Sequence, residues 1–163
     1  MEIVRLTEKN KIEYAEFINI ILEQNNTGLN PNIECLVAID GTTEKTIDGT
    51  TEEATDRTTV MGFVVVDFSD EQFPLISCMY VVPNSRYLGV GSALLDAAEL
   101  MCIGGEYESL SLISQKRLST KQNLFGYNVD ELKQFFENRG YFITEVELPP
   151  GEDLAIVRGN KVF

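Results

Sequence analysis

The segment Arg86-Tyr87-Leu88-Gly89-Val90-Gly91-Ser92 sets one cation, two closely spaced glycines and a hydroxyl side by side. Before it, LISCMYVV (75–82) is an apolar run that reads as a strand buried on both faces, ended by Pro83. After it, Leu94, Leu95, Ala98, Met101 and Cys102 recur at helical spacing, so a helix leaves the bend at once. A strand, a glycine bend and a helix start aim several backbone N–H groups and the positive end of a helix dipole at one spot. That spot suits a phosphate or pyrophosphate.

A bare G-x-G is often only a tight turn, and two other glycine motifs are excluded here. A dinucleotide fingerprint wants a third glycine where Leu94 stands, and a P-loop wants Gly-Lys-Ser/Thr, yet no lysine occurs between Lys45 and Lys116. The chain has no histidine, and Cys35, Cys78 and Cys102 lack C-x-x-C spacing. They read as buried, reduced thiols of a cytoplasmic protein, and no metal site is expected.

The elements that must position the bend follow in order. Glu2–Leu6 is a short strand, and Thr7 caps an expected helix with Tyr14, Phe17, Ile18, Ile21 and Leu22 on one stripe. Asn25–Asn32 is a loop and Ile33–Asp40 a second strand. Gly41–Thr58, threonine-rich and acidic, reads as a long flexible connection, with a substrate-guiding lid as the alternative. Thr59–Phe68 is a β-branched third strand, and the apolar run is the fourth. Beyond the helix, Tyr107–Ser114 is a strand parallel to the fourth, because strand, crossover helix and strand follow directly. Gln115–Tyr127 is read as irregular. Asn128-Val129-Asp130-Glu131 has capping-box spacing for a helix ending at Gly140, with Leu132, Phe135 and Phe136 turned inward. Tyr141–Leu148 and Asp153–Val157 form a final hairpin. One domain over 1–163 is expected.

Net charge is −13, carried unevenly: residues 1–85 hold 15 acidic and 5 basic side chains, residues 86–139 hold 7 and 6. Nucleic acid would be repelled and is excluded as a main partner. The acidic half reads either as a solvated surface or as a field that attracts a cationic substrate. No apolar run is long enough to span a bilayer, and Met1–Arg5 shows no signal-peptide pattern, so no membrane association is expected.

The full string Tyr80-Val81-Val82-Pro83-Asn84-Ser85-Arg86-Tyr87-Leu88-Gly89-Val90-Gly91-Ser92-Ala93-Leu94-Leu95 resembles the acyl-CoA motif of the GNAT superfamily, where R/Q-x-x-G-x-G/A follows a strand ending in V-x-P. Phe136-Glu137-Asn138-Arg139-Gly140-Tyr141 stands where Y-E-x-x-G-F is usual. The resemblance implies an α/β (α+β) GNAT fold: a mixed central sheet of six to seven strands flanked by helices, with one parallel pair around the CoA-binding loop. It implies acetyl-CoA as cosubstrate and transfer of the acetyl group to a primary amine. The acceptor would be a polyamine, an aminoglycoside-like small molecule, or a protein lysine or N-terminus, served by a monomer or homodimer.

Residue by residue, the resemblance implies that amides of Leu88, Gly89, Val90, Gly91 and Ser92 cradle the CoA pyrophosphate, with Arg86 and Tyr87 of the same motif also binding the cofactor. Tyr80, Val81 and Val82 would run beside the pantetheine arm, with the N–H of Val81 or Val82 polarising the thioester carbonyl. Asn128 is either a pantetheine ligand or only a helix cap. Ser77 stands about where many members carry a Glu, leaving Glu34, Asp67, Asp70 and Glu71 as candidate bases. Phe136 stands where a Tyr usually protonates the thiolate, and Tyr127 or Tyr141 would have to substitute unless both merely pack. A lysine-like amine has a pKa of about 10.4, so presenting it neutral at pH 7 costs roughly 4–5 kcal/mol. Two rival readings remain at this level: an acyl-CoA sensor or interaction module with little catalysis, and a domain whose glycine bend binds nothing.

Overall fold

The computed structural model describes residues 1–14, 31–42, 57–123 and 126–163. Eight strands and two helices are placed: β1 (Glu2–Arg5), β2 (Ile33–Thr42), β3 (Arg57–Asp67), β4 (Leu75–Val81), α1 (Val90–Gly104), β5 (Ser109–Arg117), β6 (Gln122–Asn123), α2 (Val129–Glu137), β7 (Phe142–Glu147) and β8 (Leu154–Val162). They form one mixed sheet in the order β1-β2-β3-β4-β5-β8-β7, with β6 paired to β5. Among the described residues only β4 and β5 run parallel; the other pairs are antiparallel. This is the mixed sheet with one parallel pair that the sequence predicts, its seven-strand path extended by the two-residue β6.

Boundaries shift for identifiable reasons. Gly41 and Thr42 pair with Thr58 and Arg57, so both ends of the expected loop are strand, and its remainder, 43–56, lies outside the described residues. The expected stripe residues Phe17, Ile18, Ile21 and Leu22 also lie outside them, as does most of the 25–32 loop. Gln115–Tyr127 is less irregular than expected, since it holds the end of β5 and all of β6. The last strand continues past Val157 through Arg158-Gly159-Asn160-Lys161, a composition that resembles a turn. Packing explains it. A Cβ on Gly159 would stand 2.6 Å from Ile143 Cδ1 and 2.8 Å from Leu112, so glycine lets these two side chains close over β8 without shifting.

Each sheet face has its own core. Leu94, Leu95, Ala98 and Cys102 of α1 are fully buried against Leu36, Ala38, Val64, Val66, Ile76 and Val81, joined by Phe136 and Tyr141. Across the sheet, Leu6 and Tyr14 cover Cys35, Val37, Phe63, Val65 and Cys78. Each such aliphatic side chain contributes roughly 1.5–3 kcal/mol by leaving water. The three cysteines are buried thiols, none of them in a disulfide. Burial pushes Cys35 from 9.0 up to about 12 and Cys102 to about 11, each helped by a nearby carboxylate. Among the described residues no helix is long and apolar enough to cross a membrane, and no three metal-ligating side chains cluster.

The feature that positions the site is a bulge. Val65 pairs with Cys78 and Val66 with Ile76, leaving Ser77 as the extra residue on β4. Bulges bend a strand. The parallel contact with β5 is limited to Leu75↔Ser111 and Ile76↔Leu112, and beyond Ile76 the two strands part.

Candidate functional site

A cavity of about 620 Å³ opens where β4 and β5 diverge, floored by Met79 and Val81. Arg86, Tyr87, Gly89, Gly91 and Ser92 line one wall, and Tyr127, Asn128, Glu131, Leu132 and Phe135 the other. The starts of both helices therefore face one space.

The two helix starts are chemically opposite. After β4 the chain makes one 3₁₀ turn at Pro83–Ser85 and runs extended through Arg86. It then enters the left-handed region at Tyr87 (φ 62°) and at Gly89 (φ 82°), which precedes α1. No side chain caps α1, and its first turn carries no acidic residue. Ala93 N–H donates to Gly89 O at 3.0 Å, so the amides of Val90, Gly91 and Ser92 precede the first helical carbonyl partner. By contrast, Asn128 Oδ1 accepts from Asp130 N–H at 2.9 Å and from Glu131 N–H at 3.4 Å, and those two carboxylates offset the α2 dipole. The α1 start is left with amides and positive potential facing the cavity, the arrangement that holds an anion.

On the floor, Tyr127 Oη accepts from Val81 N–H at 2.6 Å and donates to Val81 O at 2.6 Å. A neighbouring strand would take these same two groups, and here β5 has moved away. The Arg86 guanidinium lies 4.0 Å from the Tyr127 ring centroid, and its Nε–H donates to Val81 O at 3.2 Å. Burial raises the Tyr127 phenol above its ordinary value, while the Val81 contact and Arg86 oppose the shift. The hydroxyl keeps its proton at neutral pH.

The residues singled out from sequence divide into two groups. Val81, Arg86, Tyr87, Gly89, Gly91, Ser92, Tyr127 and Asn128 come together around the cavity. Val82 N–H donates to Met61 O at 2.9 Å and so faces β3, away from the gap. Of the two candidates, Val81 is the one whose amide faces the gap. Ser77 sits in the bulge, Val90 is buried in the core, and Leu88 is exposed at the loop tip. Tyr80 packs beside the second core, 5.9 Å from the Phe63 ring.

Three of the expected bases are engaged elsewhere, and the fourth, Glu71, is exposed and does not line the cavity. Glu34 pairs with Arg5, while Asp67 and Asp70 accept main-chain N–H groups in the β3–β4 turn. Phe136 is buried against Phe135 and Tyr141, and Tyr141 lies in the α1 core. Neither lines the cavity, which leaves Tyr127 as the acid candidate. Sequence reading missed Met79, Gln122, Gly126, Glu131, Leu132 and Phe135 as lining residues. Leu132 and Phe135 carried a signal, an apolar stripe taken as core, whereas Glu131 was read only as part of a cap. Tyr87 Oη donates to Glu131 Oε2 at 3.3 Å across the cavity mouth.

No family model and no curated protein sequence matches the chain. Solved structures do. An aminoglycoside 6'-N-acetyltransferase complexed with coenzyme A superposes at TM-score 0.67 and 14% identity, covering 99% of this chain and 97% of that one. The aminoglycoside 6'-N-acetyltransferase from Enterococcus faecium gives 0.65 at 14% identity over the same shares. A GNAT family acetyltransferase from Elizabethkingia anophelis with acetyl-CoA bound gives 0.61 at 14% identity, again 99% and 97%. The chain has the fold of these acetyltransferases.

Proposed function

We propose that residues 1–163 form a single cytoplasmic N-acetyltransferase domain that moves the acetyl group of acetyl-CoA to a primary amine. One observation carries this reading: the uncapped amides of α1 and the edge of β4 at Val81, which no strand pairs on the β5 side, share one cavity. The first is chemistry for a diphosphate, the second for an amide-bearing arm. The like-folded proteins with coenzyme A or acetyl-CoA bound support the same ligand.

In this reading Leu88–Ser92 hold the diphosphate through main-chain N–H groups, and Asn128 borders the arm. The thioester supplies the activated acetyl group. Val81 N–H polarises its carbonyl, an electrostatic contribution of the oxyanion-hole kind. The neutral amine nitrogen attacks the acetyl carbon, the C–S bond breaks, Tyr127 Oη gives its proton to the departing sulfur, and the proton lost by the nitrogen returns the phenolate to phenol through solvent. The acceptor is a cation, small molecule or protein, drawn by the acidic N-terminal half. The aminoglycoside-acetylating structures of like fold favour a small one.

The second reading is an acyl-CoA-binding module with little turnover. It is favoured by a specific absence: among the described residues, no carboxylate stands on β4 where Ser77 lies, and Phe136 offers no acid. Two measurements decide. Acetyl-CoA at 100 times its Kd raises stability by roughly 2.7 kcal/mol, visible as a thermal shift, and its absence rejects both readings. Free-thiol release with a panel led by spermidine, spermine and aminoglycosides separates enzyme from module.

A further inference from the structure

We infer that Tyr127 is an internal plug: in the free protein its hydroxyl occupies the two main-chain groups of Val81 that an incoming acyl-CoA arm would use, so the side chain must rotate away before the arm can bind. The inference rests on the acyl-CoA reading above. Its physical basis is the geometry of one oxygen. In extended backbone, the N–H and C=O of a residue point to the same side, toward whatever strand lies next. At Val81 that side is the gap left by β5, and Tyr127 Oη fills it at 2.6 Å from both atoms. A thioester carbonyl accepting from the same N–H cannot coexist with the phenol.

Three contacts hold the plug in place. Arg86 covers one face of the ring at 4.0 Å, and the Tyr80 ring meets it edge-on at 6.0 Å. Asn123, itself buried, pins the main chain: Tyr127 N–H donates to Asn123 Oδ1 at 2.9 Å, and Asn123 N–H donates to Tyr127 O at 3.0 Å. With the backbone fixed on both sides, release is a rotation about the two side-chain torsions and needs no loop opening. Arg86, which also donates to Val81 O, stays beside the emptied groups.

A site that is open for only a fraction of the time binds with its affinity reduced by that fraction. Removing the hydroxyl therefore has a sign opposite to that of losing a ligand contact. Tyr127→Phe removes the two hydrogen bonds that hold the side chain against Val81, so the ring leaves the gap more readily. Isothermal titration of CoA and acetyl-CoA into the wild type and Tyr127→Phe should show the variant binding about tenfold more tightly. Tyr127→Leu, which also lacks the hydroxyl, should move the same way and covers any folding defect in the first variant. Equal or weaker binding by both variants overturns the plug. Amide exchange at Val81, followed by NMR in the ligand-free proteins, tests the contact alone. Val81 should be protected in the wild type and exchange faster in Tyr127→Phe, and equal rates overturn the inference. If neither protein takes up CoA while the exchange difference stands, it is the acyl-CoA reading that fails.

Discussion

A methyl group on Gly91 would stand 3.2 Å from Met79 Cε, with Val81 Cγ2 and Phe135 Cζ each 3.7 Å away. Gly91 thus keeps its side of the cavity clear, whereas Gly89 has open space around it and a φ of +82°. The two glycines of the bend are required for different reasons, and alanine separates them. Gly91→Ala replaces a helical glycine by a better helix former, worth up to about 1 kcal/mol, while its methyl intrudes on the cavity floor. The expected outcome is an unchanged or slightly raised melting temperature together with at least tenfold weaker CoA binding. Gly89→Ala forces a left-handed alanine and should cost about 1–2 kcal/mol of stability. Calorimetric melting and titration on both variants check the contrast. A Gly91→Ala protein that melts early but binds normally would contradict it.

The sequence made the strand–bend–helix unit legible because each part uses a local rule: an apolar run, glycines, a 3.6-residue stripe. The Asn128 cap was legible for the same reason, and the structure shows Asn128 Oδ1 accepting the amides of both Asp130 and Glu131. What stayed hidden depends on partners distant in sequence. Nothing near Ser77 announces a bulge, since the extra residue exists only relative to β3. Val81 and Val82 look alike in the chain, and the choice between them follows from which neighbour takes each N–H, Tyr127 for one and Met61 for the other. Arg158–Lys161 resembles a turn until Leu112 and Ile143 close around Gly159.

The buried thiols set an alkaline limit. Cys35 and Cys102 ionise near 9.0 when unfolded but at about 12 and about 11 when folded, chiefly because burial penalises the thiolate. The unfolded chain then releases protons that the folded chain retains, so stability is intact below pH 9 and falls as pH rises toward 11. Each such group contributes a slope of about 1.4 kcal/mol per pH unit. Tyr141, also raised mainly by burial, adds to the loss above pH 10. Urea unfolding at intervals between pH 8 and 11 should show this decline. Cys102→Ala should flatten the slope by one group, whatever it does to stability at pH 8; an unchanged slope would count against the assignment.

The C-terminal strand is fastened to α1 by Lys161 Nζ and Glu99 Oε2, 2.7 Å apart. Glu99 is only 12% exposed at its side chain, so it loses most of its hydration on folding and depends on the lysine. Lys161→Met should therefore destabilise by about 2 kcal/mol, below the full cost of orphaning a buried charge because Lys161 itself is partly solvated. Adding Glu99→Gln should recover much of that loss, since the uncompensated charge is then gone. Denaturant melts of the two single variants and the double variant give the coupling directly. A double variant as unstable as the sum of the singles would show that the pair is not coupled.

Asn128 has two potential tasks, and one substitution divides them. As the α2 cap it needs only an oxygen acceptor for Asp130 and Glu131 N–H, and aspartate provides that equally well. As a cavity residue it offers an amide, which aspartate replaces with a negative charge inside the cavity proposed to take the anionic cofactor. Asn128→Asp should accordingly melt within about 0.5 kcal/mol of the wild type while binding CoA several-fold more weakly, the deficit shrinking as salt screens the charge. Asn128→Ala should lose about 1 kcal/mol of stability through the cap. If Asn128→Asp bound CoA as the wild type does at low ionic strength, Asn128 would be a cap only, and the anion path would run clear of α2 along the glycine bend.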